Sequence, residues 1–348
     1  MTNNKEYSWY MLTNAPGFGA KSIYYIYKTL KENNLSINNL FELEINQLST
    51  LFPEIGKGKF SRASFSSFQN LDNNTLHGAF EKLQNDGVYI IGLDDERYPK
   101  SVLENMRDNA PPILYCKGNL KLLNVQGISI VGSRDVDEFS IMLTKSIASK
   151  LTENGFNVTS GYAKGVDTSA HLGALEANGT TTMILSFGVN YLSIKKDIKD
   201  FDWERNTLFV TQFAPYEKFS GQNAMSRNKL VCAMSKAIVV IASGPERDSQ
   251  GKMSGTFDAG KSALQMNIPV FVLSPQVLKP TPQGNIDLIK LGGIEFSNGL
   301  DIVDFLERNP QSDKKKEEVS LQRQEILKNS KRTSKTKDLP TNQTSLGF

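Results

Sequence analysis

The sequence contains few of the residues that build compact reactive or metal-binding sites. Its 348 residues include two cysteines and two histidines. Cys116 and Cys232 have no CxxC or Cys/His spacing, so the sequence predicts neither a disulfide framework nor a zinc site. A chain with so little cysteine suits a reducing compartment, and the cytoplasm is the location that we expect.

Long apolar runs are also missing. No stretch approaches the roughly 20 apolar residues that a membrane-spanning helix needs, so we expect no transmembrane segment. The first residues, MTNNKEYSWYML, have no basic segment leading into an apolar one, and the sequence therefore predicts no signal peptide.

Recognisable catalytic motifs are absent as well. The chain has no GxSxG elbow, no P-loop lysine motif and no HExxH pair. Asp94, Asp95 and Asp167 lack the spacing of metal ligands. His171 lies one helical turn after Asp167, where a buried structural histidine is the better interpretation. We therefore expect a protein that is not an enzyme and that holds no metal and no cofactor.

The positive charge of the chain is concentrated at its end. The net charge is +3, and residues 311–348 hold nine Lys/Arg and five Asp/Glu, which gives +4. The other 310 residues therefore carry 31 basic and 32 acidic groups, or −1. If the folded part binds phosphate, it must use a local patch or backbone amides and not its overall charge.

Three regions differ in composition. Residues 1–85 have the apolar spacing of short helices, with Gly-rich turns at 16–19 and 55–58. Residues 88–308 alternate short apolar runs with amphipathic stretches, which is typical of βαβ units. Residues 309–348 are polar and rich in Lys, Ser and Thr, so we expect a basic disordered tail. The sequence thus predicts an α/β fold with a mostly parallel sheet, a small N-terminal helical domain and a disordered C-terminal tail.

The apolar runs of the middle region define its predicted elements. Ligands of open α/β sheets bind beyond the carboxyl ends of the strands, so the loops at those ends are where a site is expected. Predicted strands cover 88–93, 113–115, 127–131, 156–159, 181–187, 208–211, 237–241 and 269–273. Predicted helices cover 139–151, 168–177, 223–234, 258–266, 285–290 and 300–306.

Four strand-end loops combine glycines, hydroxyls and cations. A glycine after a buried strand permits a tight turn, and the amides of the next helix can hold an anion, beside which Arg134 and Lys164 would add charge. Asp167 is predicted to cap a helix that begins at Thr168, and the 226–229 segment to lie at a helix start. The predicted phosphate-binding residues are Gly132, Ser133, Arg134, Ser160, Gly161, Lys164, Gly165, Arg227, Asn228, Lys229, Ser254, Gly255 and Thr256.

Each loop taken alone has a plainer explanation. A strand–Gly–Ser turn is ordinary βα turn chemistry, Lys164 could be a solvated surface lysine, and Arg227 and Lys229 could be salt-bridged surface charges. Four such loops at one sheet edge favour a shared anion site.

The order of these loops resembles the DprA/Smf family of bacterial DNA-processing proteins. The similar segments are Arg97-Tyr98-Pro99, the stretch from Pro111 to Asn119, Val131-Gly132-Ser133-Arg134, the stretch from Ser160 to Asp167, Ala170-His171, Gly179-Thr180, Arg227-Asn228-Lys229 and Ser254-Gly255-Thr256. They extend over about residues 88–295.

The resemblance implies an extended Rossmann-like fold that binds single-stranded DNA and delivers it to the RecA recombinase, as a homodimer, during natural transformation. It implies that Arg134, Lys164 and the 227–229 segment meet DNA phosphates, and that the glycines and hydroxyls of the loops shape the pocket. It also implies a helix-hairpin-helix or SAM-like N-terminal domain. There the 16–19 turn either offers amides to a phosphate or is a simple helix–helix turn. The chain departs from the family at Lys229, where a second arginine is usual, and at Gln212, where a glutamate is usual.

Two alternatives remain open. Related Rossmann-like folds include nucleoside-monophosphate hydrolases with a GGxGTxxE signature, and this chain has Gly255-Thr256 but Ala259 in place of the glutamate. A nucleotide-binding sensor or hydrolase is therefore the second functional hypothesis. A DprA-like role in sensing foreign DNA, as in anti-phage defence, is the third.

Overall fold

A computed structural model describes residues 4–53, 71–125 and 127–308. Up to Leu300 the chain forms one compact unit, and the residues from Asp301 onward belong to a second unit. The predicted tail, 309–348, and the predicted turn at 55–58 lie outside the described residues. None of the described helices is long and apolar enough to cross a membrane.

Five helices lie in the described residues 4–53 and 71–85, as the spacing of apolar residues predicts. The first begins after Asn4, because the side chain of Asn4 accepts hydrogen bonds from two backbone amides of the first turn. Gly17, with φ of 87°, supports the turn to the second helix. Trp9, Ile26 and Phe52 are buried in the core between them. The helices are α1 (Lys5–Asn14), α2 (Ala20–Glu32), α3 (Ile37–Leu40), α4 (Ile45–Leu51) and α5 (Asn73–Asn85).

Nine strands of the described residues form one sheet in the order β1-β2-β6-β5-β4-β3-β7-β8-β9. From β6 to β9 every neighbouring pair is parallel, whereas β2 runs antiparallel to both β1 and β6. The predicted mostly parallel, Rossmann-like sheet is thereby confirmed. The strands are β1 (Val88–Gly92), β2 (Ile113–Gly118), β3 (Gly127–Val131), β4 (Asn157–Gly161), β5 (Thr181–Ile184), β6 (Thr207–Thr211), β7 (Ser235–Val240), β8 (Val270–Leu273) and β9 (Ile294–Phe296).

Helices connect the parallel strands and cover both faces of the sheet. Crossovers between parallel strands are right-handed. The strand order runs one way from β3 to β6 and the other way from β7 to β9, so the helices of the two halves pack on opposite faces of the sheet. Accordingly α7 packs against α8, and α11 packs against α12. The helices after β1 are α6 (Lys100–Met106), α7 (Glu138–Glu153), α8 (Val166–Glu176), α9 (Lys196–Lys199), α10 (Trp203–Asn206), α11 (Gly221–Ala233), α12 (Gly255–Gln265), α13 (Gln283–Lys290) and α14 (Gly299–Arg308).

All six predicted helices begin one to three residues earlier than the sequence predicts, and α6, α9, α10 and strand β9 were not predicted. Helix α11 begins at Gly221 and α12 at Gly255, because the hydroxyls of Ser220 and Ser254 accept hydrogen bonds from amides of the first turn. Strand β9 has only three residues, which is too short to produce an alternating pattern.

Candidate functional site

The parallel strands reverse their order between β3 and β7. Val131 is paired with Val240, so these two strands end at the same level. The loops that follow also touch, since the backbone N–H of Ser133 donates to the carbonyl oxygen of Ala242 at 2.9 Å. Ligands of open α/β sheets bind at such a reversal point, beyond the carboxyl ends of the strands. Residues 132–134 lie at that point, where the sequence analysis expects a site.

Arg134 presents a cation beside an aromatic ring in the loop after β3. Its side chain is exposed, and its guanidinium carbon lies 5.8 Å from the centre of the Phe219 ring, which is itself 54% exposed. A planar permanent charge and an aromatic face therefore stand together at the surface. Phe219 was not among the predicted site residues. An apolar residue between Lys218 and Ser220 in a strand-end loop is the signal that could have indicated it.

Ser133 turns its hydroxyl to its own loop. The hydroxyl oxygen accepts a hydrogen bond from the N–H of Asp135 at 3.2 Å and donates to the carbonyl of the same residue at 3.0 Å. Gly132 lies against Val166, since a Cβ at position 132 would be 2.6 Å from a methyl carbon of that valine. These two residues shape the turn that carries Arg134.

The loop after β4 lies directly against the Arg134 loop. Val166 N–H donates to the carbonyl of Ser133 at 3.2 Å. Gly165 has φ of 75°, and a Cβ there would lie 2.6 Å from the carbonyl oxygens of Ser133 and Arg134. Only glycine fits this contact without strain. Lys164, the preceding residue, is exposed, so the structure brings Lys164 and Arg134 onto adjacent loops of one rim.

Arg227 lies beneath this rim and not on it. Its side chain is 6% exposed, and Nη1 lies 3.6 Å from Oδ2 of Asp167. Gly161 leaves the space that the guanidinium occupies, because a Cβ at position 161 would overlap it. Burial lowers the pKa of Arg227, and the nearby Asp167 opposes that effect. Arg227 therefore does not reach the surface to meet a phosphate in the way that the resemblance implies, and its charge is balanced by a buried carboxylate.

Asp167 does not cap a helix. Helix α8 begins at Val166 after Gly165, so Asp167 lies inside the first turn. Its carboxylate accepts a hydrogen bond from the N–H of Ala163 at 3.3 Å and faces Arg227. The carboxylate therefore links the Lys164 loop to α11 and does not cap α8.

His171 and Ser160 have structural positions under the same loop. His171 Nε2 lies 2.6 Å from the carbonyl oxygen of Gly161, and Nδ1 lies 2.6 Å from the hydroxyl of Thr181. Because a carbonyl only accepts, Nε2 carries the proton. The prediction of a buried structural histidine is confirmed. Ser160 is fully buried, and its hydroxyl donates to the carbonyl of Ile130 on the neighbouring strand.

The remaining predicted residues join α11 to the start of α12. The side-chain amide of Asn228 donates to the carbonyl of Gly255 at 2.9 Å. Ser254 accepts a hydrogen bond from the N–H of Phe257 at 3.3 Å and caps α12, whose first turn contains Gly255 and Thr256. Lys229 is exposed, beyond the first turn of α11 and not at its positive end. The structure therefore gives Asn228 and Ser254 scaffolding contacts.

The first turn of α12 is also where the glutamate of the hydrolase signature would lie. Ala259 occupies the glutamate position and is 1% exposed, so a side chain there points into the core. Asp258 is half-buried beside Lys229 and Lys261, and burial raises its pKa. The chain therefore has a carboxyl near this loop, but one residue away from where the signature needs it.

Lys195 supports the Lys164 loop from below, and the sequence carried no signal for it. Its ammonium donates to the hydroxyl of Thr168 at 2.6 Å and to the carbonyls of Ala163 at 3.0 Å and Tyr162 at 3.5 Å. It also lies 4.5 Å from the centre of the Tyr162 ring. Burial lowers the pKa of Lys195. Lys195 holds these carbonyls toward the protein interior, and the Lys164 side chain faces solvent.

Comparison with known proteins identifies relatives over the region that contains this rim. Residues 89–307 match the model of the family described as DNA recombination-mediator protein A. The DNA processing protein DprA of Streptococcus pneumoniae is 26% identical over 236 residues, which are 67% of this chain and 78% of that protein. Protein Smf of a Synechocystis strain is 28% identical over 219 residues, 61% of this chain and about half (52%) of that protein's length.

Solved structures agree with the fold. The X-ray structure of DprA from Streptococcus pneumoniae superposes with a TM-score of 0.69 at 24% identity, covering 87% of this chain and 98% of that one. A structure of DprA from Helicobacter pylori, whose subject is its single-stranded DNA binding mode, gives a TM-score of 0.52 at 25% identity and covers 63% and 96%. The family match extends over more than half of the sequence, and the chain belongs to the DNA recombination-mediator protein A family.

Proposed function

We propose that this protein binds single-stranded DNA on the rim formed by the loops after β3 and β4, and that it does so without catalysing a reaction on the strand. The observation that carries the proposal is the exposed pair of Arg134 and the Phe219 ring, with Lys164 on the adjacent loop. The guanidinium and the ammonium hold phosphates through charge-assisted hydrogen bonds. The ring stacks on a base, which every nucleotide offers whatever its sequence.

The buried groups keep this surface in shape. Arg227 and Asp167 neutralise each other beneath the rim, and Lys195 holds the carbonyls of the Lys164 loop. We propose that Gly132, Gly161 and Gly165 act by allowing the loops to approach each other, and that Ser133, Ser160 and Asn228 act through their contacts within the protein. The direct DNA contacts are then few and exposed, which fits sequence-tolerant binding.

We further propose that the bound strand is handed to a RecA-type recombinase and that the protein acts as a homodimer. Support comes from the family, whose description is that of a recombination mediator. Support for the DNA ligand also comes from the relative in Helicobacter pylori, whose structure concerns single-stranded DNA binding.

Fluorescence anisotropy with a labelled oligothymidylate tests the rim. We expect Arg134→Ala and Lys164→Ala to weaken binding, and each to lower the slope of log affinity against log salt by about one, because each removes one phosphate contact. Phe219→Ala removes a stacking platform worth about 1–3 kcal/mol, which is about fivefold to about 150-fold in affinity. The effect of Phe219→Ala should be smaller on double-stranded DNA, whose bases are not available for stacking.

A matched control separates the site from general charge. Lys290→Ala removes a lysine that is 71% exposed on α13 and should leave the affinity and the salt slope close to those of the unaltered protein. If the Arg134→Ala and Lys164→Ala proteins both bound the oligonucleotide as tightly as the unaltered protein, the rim would be refuted as the DNA site.

A further inference from the structure

A cavity of about 290 Å³ opens beside the loop that carries Phe219. Tyr216, on the same loop, lines it and is 61% exposed. Asn190 borders it from the loop after β5, and Lys82 and Lys117 border it from α5 and β2. The volume is close to the lower end of the range for ligand pockets in proteins. None of its lining residues belongs to the rim of Arg134 and Lys164.

The loop between β6 and α11 joins this cavity to the rim. Tyr216 and Phe219 are three residues apart, so their Cα atoms lie at most about 11 Å apart. Two hydrogen bonds fix the loop to its neighbour, from Asn190 N–H to the Pro215 carbonyl at 3.0 Å and from Gly188 N–H to the Glu217 carbonyl at 2.7 Å. These bonds hold the backbone on both sides of Tyr216, and Phe219 follows three residues later on the same loop.

The charge of the cavity is suited to phosphate. Its lining includes Lys82 and Lys117 and one carboxylate, Asp86. The ammonium of Lys117 donates to the backbone carbonyl of Asp86 at 2.7 Å, and a carbonyl leaves the positive charge unbalanced. Val88 lies opposite Lys117 in the sheet, so an apolar side chain lies next to this cation in the lining. An aromatic ring followed by two cations is the pattern of grooves that track single strands.

We propose that a bound DNA strand continues from Phe219 past Tyr216 into this cavity, with a base against the Tyr216 ring and phosphates at Lys82 and Lys117. The inference rests on the proposed function and lengthens the DNA path beyond the loops after β3 and β4. It also gives the junction between α5 and the antiparallel β1–β2 pair a role in DNA binding.

The length of the oligonucleotide tests this path. Oligothymidylates of about 4 to about 16 nucleotides cover the range of known single-strand sites and can be titrated by anisotropy. We expect Tyr216→Leu and the double variant Lys82→Gln, Lys117→Gln to bind the shortest oligonucleotide as the unaltered protein does. The longest oligonucleotide should bind about tenfold more weakly to each of these variants, because a stacked base or two phosphate contacts are lost. Tyr191→Leu and Lys121→Gln alter an exposed ring and an exposed lysine outside the cavity lining and should change neither affinity.

The outcomes distinguish the two proposals. If Arg134→Ala weakens binding at every length while the cavity variants, shown to be folded by their thermal midpoints, bind the longest oligonucleotide normally, the extension is overturned and the rim stands. If Arg134→Ala has no effect at any length, the rim itself fails. If the cavity variants weaken the binding of the shortest and the longest oligonucleotides by the same factor, the cavity is not a continuation of the strand path.

Discussion

His171 should make the stability of the fold depend on pH in the mildly acidic range. The imidazole is fully buried between Gly161 and Thr181, and burial lowers its pKa from 6.5 to about 4. Between these two values the unfolded chain binds a proton that the folded chain does not. The histidine therefore does not lower the free energy of unfolding above about pH 6.5, and it lowers this free energy progressively as the pH falls toward 4.

The magnitude follows from the difference in pKa. Each unit corresponds to about 1.4 kcal/mol, so this one histidine should remove about 2.5 kcal/mol of unfolding free energy between about pH 7 and about pH 4.5. Carboxylates also contribute to acid destabilisation, and a variant isolates the histidine from them. His171→Gln should reduce the loss between the two pH values by about that amount, although it is less stable than the unaltered protein at neutral pH.

Urea unfolding followed by circular dichroism at the two pH values measures the effect. His77→Gln is the control, because His77 is the other of the two histidines and its side chain is 43% exposed beside Glu81. It should keep the pH dependence of the unaltered protein. If His171→Gln and the unaltered protein lost equal stability on acidification, the proposed burial of a neutral imidazole would be refuted.

Three further substitutions test the scaffold by their denaturation midpoints. Gly161→Ala should cost about 1–3 kcal/mol because the new methyl overlaps the Arg227 guanidinium, whereas Gly78→Ala, with open space around it, should be neutral or stabilising. Asn285→Ala should cost about 3 kcal/mol, since it removes three buried hydrogen bonds to backbone groups at the ends of β7 and β8. Lys195→Met should lower both stability and DNA affinity through the Lys164 loop. An unchanged midpoint in the Gly161→Ala, Asn285→Ala or Lys195→Met protein would contradict the packing inferred at that position.

The sequence was sufficient to predict the sheet and the edge at which Arg134 and Lys164 meet. Strand β3 was predicted with the bounds that it has, because a continuous apolar run between polar residues leaves little freedom in its assignment. The proximity of the two cations followed from a general property of parallel strands, whose carboxyl ends share an edge.

Burial is what the sequence could not give. Arg227 and Asp167 are distant in the chain, and their pairing depends on where α11 begins, which Ser220 decides by capping the helix at Gly221. Phe219 and Lys195 act through neighbours from other loops, so no local pattern distinguishes them from ordinary surface residues. A charged residue in a motif thus indicates a site, but only the packing shows whether its side chain faces solvent or is buried and supports the loops.

The contact between α1 and β1 has a consequence for experiments on the N-terminal helices. The indole of Trp9 lies where a Cβ of residue 92 would be, which only Gly92 permits, and its N–H donates to the carboxylate of Asp94. Cutting the chain after α5 would uncover this apolar seat and expose the β1 backbone to pairing with other molecules. Deletion of the N-terminal helices would therefore cause aggregation and would not show what they contribute. The contribution of the Gly17 turn has to be measured by single substitutions in the intact protein.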